Sequence, residues 1–109
     1  MIKEEQIRQK RIDEITTKIE AVLRKYPVRK AGLFGSVLTD KFDNEKSDVD
    51  LALEVDFSND FTFFDYAGMS LDLEKKVGKK IDLMRIEAVK GELSQYILPN
   101  IKYFYDTNE

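Results

Sequence analysis

The stretch Asp48-Val49-Asp50-Leu51-Ala52-Leu53-Glu54-Val55-Asp56-Phe57 alternates without a break. Val49, Leu51, Leu53, Val55 and Phe57 fall on one side of an extended chain, and Asp48, Asp50, Ala52, Glu54 and Asp56 on the other. A period of two belongs to a β-strand with one buried face, because successive side chains leave the pleat on opposite sides. The second face of this strand carries acid. Residues two apart share a face with Cα atoms about 7 Å apart, so Asp48 and Asp50 can converge on one or two hard cations.

Working outward, Val28 to Phe34 is a short apolar run that reads as another strand, closed by the small-residue turn Gly35-Ser36. Ser36 is a good helix N-cap residue, and Val37 to Phe42 then reads as one or two helical turns. Asp43-Asn44-Glu45-Lys46 is a polar loop leading to the alternating strand. Upstream, Ile12, Ile15, Ile19, Val22, Leu23 and Tyr26 recur at three- and four-residue steps, which predicts a helix over residues 3–25 stopped by Pro27. Downstream, Ser58-Asn59-Asp60 offers caps for a helix over residues 61–77. Its apolar rows are Phe64, Ala67, Leu71 and Met69, Leu73, Val77, with Gly78 as C-cap. Residues 80–86 read as a third strand, with Asp82 between Ile81 and Leu83. A last helix is expected from about Gly91 to Leu98, ahead of Pro99, and Ile101 to Tyr105 is a final strand or a docked tail. The order α-β-(α)-β-α-β-α-(β) predicts an α/β (α+β) fold spanning residues 1–109 as a single domain: one mixed sheet, helices mainly on one face, an open acidic cleft on the other.

Composition narrows the chemistry. The 109 residues include no His and no Cys. That removes Ser-His-Asp catalysis, imidazole acid–base chemistry, thiol nucleophiles, disulfides and zinc sites built on Cys or His. Carboxylates, hydroxyls, Lys and Arg remain. A net charge of −3 sits on the wrong side of neutrality for a nucleic-acid scaffold, so no direct nucleic-acid binding is expected. No apolar run approaches a membrane span, and the N-terminal Met1-Ile2-Lys3-Glu4-Glu5-Gln6 is charged where a secretion signal needs apolar residues. A cytoplasmic protein with no membrane contact is the expectation.

The pointed feature is the combination. Glycine lets backbone approach a phosphate closely, and the N–H groups of a following helix attract anions. Gly35 and Ser36 are therefore candidates to hold a triphosphate. Asp48 and Asp50 are candidates to hold Mg²⁺ or Mn²⁺, an ion that binds few carboxylates plus substrate phosphates. If the strands carrying them are neighbours, Asp82 falls beside Asp50 as a third carboxylate, able to accept a hydroxyl proton or share the metal. The bland reading of each piece is a simple turn, solvated surface acid and an edge aspartate. Their conjunction argues against that reading, because like charges on adjacent positions repel unless a cation compensates. Lys75-Lys76 and Lys79-Lys80 read as a solvated helix end. Phe57, Phe61, Phe63, Phe64 and Tyr66 form an aromatic cluster, read first as core and second as a partner-binding patch.

With Gly35-Ser36, Ser47-Asp48-Val49-Asp50-Leu51, Lys80-Ile81-Asp82-Leu83 and the preceding Ala31-Gly32-Leu33-Phe34 in place, the chain resembles the minimal nucleotidyltransferases of the DNA polymerase β superfamily over nearly its whole length. The resemblance implies a nucleotidyltransferase-type sheet and an antitoxin of the MntA kind, paired with a HEPN-domain RNase toxin. Such an antitoxin uses ATP and Mg²⁺ to place AMP on a toxin tyrosine. By the same resemblance Gly35 and Ser36 hold the triphosphate, Asp48 and Asp50 the metal, and Asp82 is the third catalytic and metal-binding carboxylate. Many relatives carry arginine just after Gly-Ser. Here Val37-Leu38-Thr39-Asp40 follows, with Lys41 and Lys46 as the substitute cations considered. Two other functions fit the same residues: an antitoxin that neutralises its toxin by binding alone, and the catalytic subunit of a two-chain enzyme modifying a small molecule.

Overall fold

In the computed structural model, which describes residues 3–107, the alternating stretch becomes strand β2 (Val49–Val55), an interior strand of a four-stranded sheet. β1 (Val28–Phe34) lies on one side of it, antiparallel, and β3 (Ile81–Arg85) on the other, parallel. β4 (Lys102–Asp106) adds to the free side of β1, also antiparallel, giving the order β3-β2-β1-β4. The C-terminal apolar segment is thus an edge strand.

Parallel neighbours need a long crossover. Helix α2 (Phe63–Val77) supplies it between β2 and β3. The Asp65 carboxylate accepts the backbone N–H of Thr62 at 2.8 Å and closes a capping box, so the cap is Thr62 rather than the Ser58-Asn59-Asp60 loop. Gly78, in the left-handed region at φ +77°, ends the helix by donating its N–H to the Glu74 carbonyl at 2.8 Å. The Glu74 side chain then accepts the Ile81 N–H at 3.0 Å, tying the helix end to the start of β3.

Helix α1 (Glu4–Leu23) buries Ile12, Ile15, Ile19, Val22 and Leu23, the stripe its spacing predicts. It packs beside α2 on the face of the sheet made by Ala31, Leu33, Val49, Leu51, Leu53 and Val55. Burying these side chains stabilises the fold by roughly 1.5–3 kcal/mol apiece before chain entropy is set against it.

The structure refines the expected pattern in several places. On α2 the row Met69, Leu73, Val77 is buried, but the row Phe64, Ala67, Leu71 faces solvent, with Phe64 91% and Leu71 67% exposed. One helix presents only about a 100°-wide stripe to its core, and the α1–sheet contact takes the first row. After Gly35 the chain makes one tight 3-10 turn (Gly35–Leu38). Ser36 lies inside that turn, Phe34 takes the cap position, and no side chain caps it. The second face of the sheet is not bare along its length: Gly32 and Ala52 are buried there, and a Cβ at Gly32 would lie 2.4 Å from Cγ2 of Ile101, at the entry to β4. Two further tight turns, Ile86–Ala88 and Leu98–Asn100, flank the short helix α3 (Glu92–Ile97), which is one residue shorter at each end than expected.

Candidate active site

The open end of the sheet collects the acid. Phe34, the last residue of β1, stands opposite Asp50, and Asp50 stands opposite Asp82 of β3. The expected neighbour relation between Asp50 and Asp82 is present in the register, and Asp48 sits one residue before β2. The chain turns directly after Phe34, so Gly35, Asp50 and Asp82 lie side by side across three strands.

Gly35 takes φ +76°, a conformation L side chains rarely adopt. A Cβ there would lie 2.2 Å from Oδ2 of Asp50. Glycine is required twice over, by the turn and by the carboxylate packed against its backbone. The loop after the turn is held from several sides. Arg11 of α1 donates from Nη2 to the carbonyls of Val37 at 2.8 Å and Thr39 at 2.7 Å, and its guanidinium lies 4.8 Å above the ring of Phe42. Burial pulls the Arg11 pKa down, while Asp40 pushes it up. Arg8 pairs with Asp40 at 2.5 Å, and Lys79 donates to the Asn44 carbonyl at 2.6 Å. The Ser47 hydroxyl takes the Asp43 N–H at 2.9 Å, closing the polar loop that delivers Asp48.

Charge separates the acidic stripe into two parts. Glu54 and Asp56, at the far end of β2, are compensated by Arg29 at 3.8 and 3.3 Å. No ion pair to Lys or Arg reaches Asp48, Asp50 or Asp82 among the described residues. The Asp50 pKa is pushed up, first by burial, then by the charges of Asp82 and Asp48. Among the described residues no group of three His, Cys, Asp or Glu is closed into a ready metal cage. Mutual repulsion accounts for carboxylates that share one end of the sheet without closing on each other. The donor set nevertheless suits a hard divalent cation: anionic oxygens on neighbouring strands, one with an unfavourable charge balance that a cation reverses.

A cleft of about 490 Å³ opens beside the turn, lined by Phe34, Gly35, Leu38, Thr39, Tyr96 and Asn100, among others. Tyr96 and Asn100 come from α3 and the turn after it. Sequence reading located that helix but not this role, because nothing local signals that the segment folds back over Gly35. Arg11 was missed for the same reason: α1 lies far upstream, and nothing local signals that its guanidinium grips the carbonyls of the loop after Gly35.

Residues 17–109 match the family model of polymerase β nucleotidyltransferases. A protein of Methanocaldococcus jannaschii, provisionally named a protein adenylyltransferase, is 31% identical over 80% of this chain and 90% of its own length. A second from the same organism, named likewise, is 35% identical over 72% of this chain and 78% of its own. The chain belongs to the polymerase β nucleotidyltransferase family. Solved structures agree on the fold. A provisionally assigned minimal nucleotidyltransferase superposes with TM-score 0.67 at 23% identity, over 82% of this chain and 91% of that one. A toxin–antitoxin complex with AMP-PNP gives 0.66 at 21% identity, over 84% of this chain and 73% of that one. The MntA–HepT toxin–antitoxin gives 0.61 at 19% identity, over 87% and 73%.

Proposed function

We propose that this chain transfers AMP from ATP to a tyrosine hydroxyl of a partner RNase toxin of the HEPN kind, and so acts as an antitoxin.

 The acceptor in this reading is a protein side chain and not a small molecule. One observation carries the nucleotidyl-transfer reading: Asp48, Asp50 and Asp82 gather at the end of the sheet where the Gly35 turn packs against Asp50, with no ion pair to Lys or Arg among the described residues. The family supports transfer of a nucleotidyl group. The names of the two archaeal relatives support a protein acceptor. The AMP-PNP complex and the MntA–HepT assembly, which share this fold, support ATP as donor and a toxin as partner.

Each residue then has a task. The Gly35-Ser36 turn receives the triphosphate, with backbone close to the phosphates and the Ser36 hydroxyl available to donate. Asp48, Asp50 and Asp82 would hold Mg²⁺ or Mn²⁺. When bound, such an ion neutralises charge on the phosphates and lowers the pKa of a coordinated hydroxyl. The acceptor oxygen forms a bond to the α-phosphorus as the bond from that phosphorus to the bridging oxygen breaks. Pyrophosphate leaves with the bond's electrons, and the hydroxyl proton passes to Asp82. Tyr96, lining the cleft beside Gly35, offers a ring face for the base.

The test is intact-mass spectrometry of the protein encoded beside this one after incubation with this chain, ATP and Mg²⁺. AMP adducts that vanish with Asp48→Asn or with chelator support the proposal. An unmodified partner in a tight complex with the chain refutes catalysis and leaves neutralisation by binding.

A further inference from the structure

Helix α2 carries on its outer side a surface that the fold does not use. Phe64, Gly68 and Leu71 follow at four- and three-residue steps, so they form one stripe. Phe64 and Leu71 are largely exposed, at 91% and 67%. Its neighbour Phe63 is different: that ring stacks on Phe57 at 4.6 Å and lies under the Arg85 guanidinium at 5.3 Å. The stripe borders a groove of about 640 Å³, floored by Phe61 and Tyr26 and walled by Lys25, Pro27 and the α2 residues Phe64, Asp65, Gly68 and Asp72.

Gly68 is the telling residue. Glycine inside a helix costs about 1 kcal/mol relative to alanine. Where it persists, the usual reason is close packing. Yet a Cβ built at Gly68 meets nothing within 4 Å. The chain itself gains nothing from the missing side chain, so the space suits something outside the chain. The rim is acidic. Asp60, Asp65 and Asp72 surround the groove against the single cation Lys25 in its lining. No ion pair neutralises those three carboxylates among the described residues; Asp72 accepts the Tyr26 hydroxyl instead, and Asp65 caps α2.

We propose that this groove docks a basic amphipathic helix of a partner protein, its apolar side against Phe64 and Leu71, its backbone close over Gly68, and its Lys or Arg flank against Asp60, Asp65 and Asp72. Two helices approach to 8–10 Å between axes, depending on the side chains at the contact, and a glycine at the crossing favours the short end. Apolar anchors at helical spacing are the signature of helix-in-groove recognition. Charge selects the occupant: a helix with an acidic flank meets repulsion. The groove lies on the helical side of the sheet, away from Asp50 and Asp82, so an occupant leaves the acidic end free. The inference stands independently of nucleotidyl transfer.

The probe is a fluorescein-labelled helical peptide with leucine on one face and lysine on its flanks, titrated into the full chain and followed by anisotropy. A peptide with the same apolar face and glutamate flanks is the control. The lysine peptide should bind at least about tenfold more tightly than the control. Gly68→Leu, which fills the groove and improves helix propensity, should weaken it about tenfold with the circular dichroism melt undiminished. Gly68→Ala, a smaller filling, should give an intermediate loss. Equal binding of both peptides, or affinity unchanged by Gly68→Leu in a folded protein, overturns the proposal. Self-association of the wild type that Gly68→Leu abolishes also overturns it, in favour of a second copy as occupant.

Discussion

Asp50 is a residue whose charge works against the fold. Burial and the charges of Asp82 and Asp48 raise its pKa in the folded chain above the ordinary 3.8. A carboxylate with a raised folded pKa binds protons better when folded. Its ionised form therefore costs stability above the folded pKa, and the cost disappears as pH falls through that value toward the unfolded one. In metal-free buffer, Asp50→Asn should therefore be more stable than wild type near pH 7, by up to about 1 kcal/mol after solvent screening, while losing nucleotidyl transfer. The difference should shrink near pH 4, and paired urea titrations at the two pH values measure it. An equal gap at both would mean that charge repulsion is not the cause. Gly35, by contrast, was readable from the sequence as a turn and a candidate phosphate contact. That its missing Cβ makes room for the Asp50 carboxylate is visible only once β1 and β2 are paired.

At the scale of the element, α2 demonstrates the limit of periodicity. Two apolar rows are present in its sequence, and both satisfy helical spacing equally well. Packing against α1 and the sheet chose Met69, Leu73 and Val77 and left Phe64, Ala67 and Leu71 outside. Leu73→Ala should lower unfolding free energy by about 2–5 kcal/mol, through lost burial plus the cavity left behind. Leu71→Ala should change it by no more than about 0.5 kcal/mol. Comparing the two by chemical denaturation checks the face assignment directly; similar costs would reverse it. The loop after Gly35 makes a related point. Besides local bonds such as the Asp43 N–H to Ser47, it is held by Arg8, Arg11 and Lys79, residues far away in sequence that no local pattern announces.

At the scale of the molecule, β4 closes the sheet by pairing with β1, and Gly32 permits it. A Cβ at Gly32 would lie 2.4 Å from Ile101 Cγ2 and 3.0 Å from the Lys102 carbonyl oxygen. Backbone cannot yield as a side chain does, so Gly32→Ala should cost about 1–3 kcal/mol and loosen the C-terminal strand first. Hydrogen exchange is the measurement: amides of residues 102–106 should lose protection ahead of those in β2, and uniform loss across the sheet would contradict the placement of the strain. The sequence by itself determined the first three strands, the two long helices and which acidic residues are candidates for the site. Alternation, apolar stripes and turn residues are properties of neighbours in the chain. It left Asp82 beside Asp50 conditional on their two strands being neighbours, and the parallel pairing of β2 with β3 meets that condition. Only the tertiary structure decided which α2 row is buried and which carboxylates pair with a cation. Tertiary packing likewise brought Arg11 to the loop, Tyr96 to the Gly35 cleft and Ile101 to Gly32. Each of these is a contact between residues distant in sequence, and burial, charge compensation and steric room are set by such contacts rather than by any local pattern.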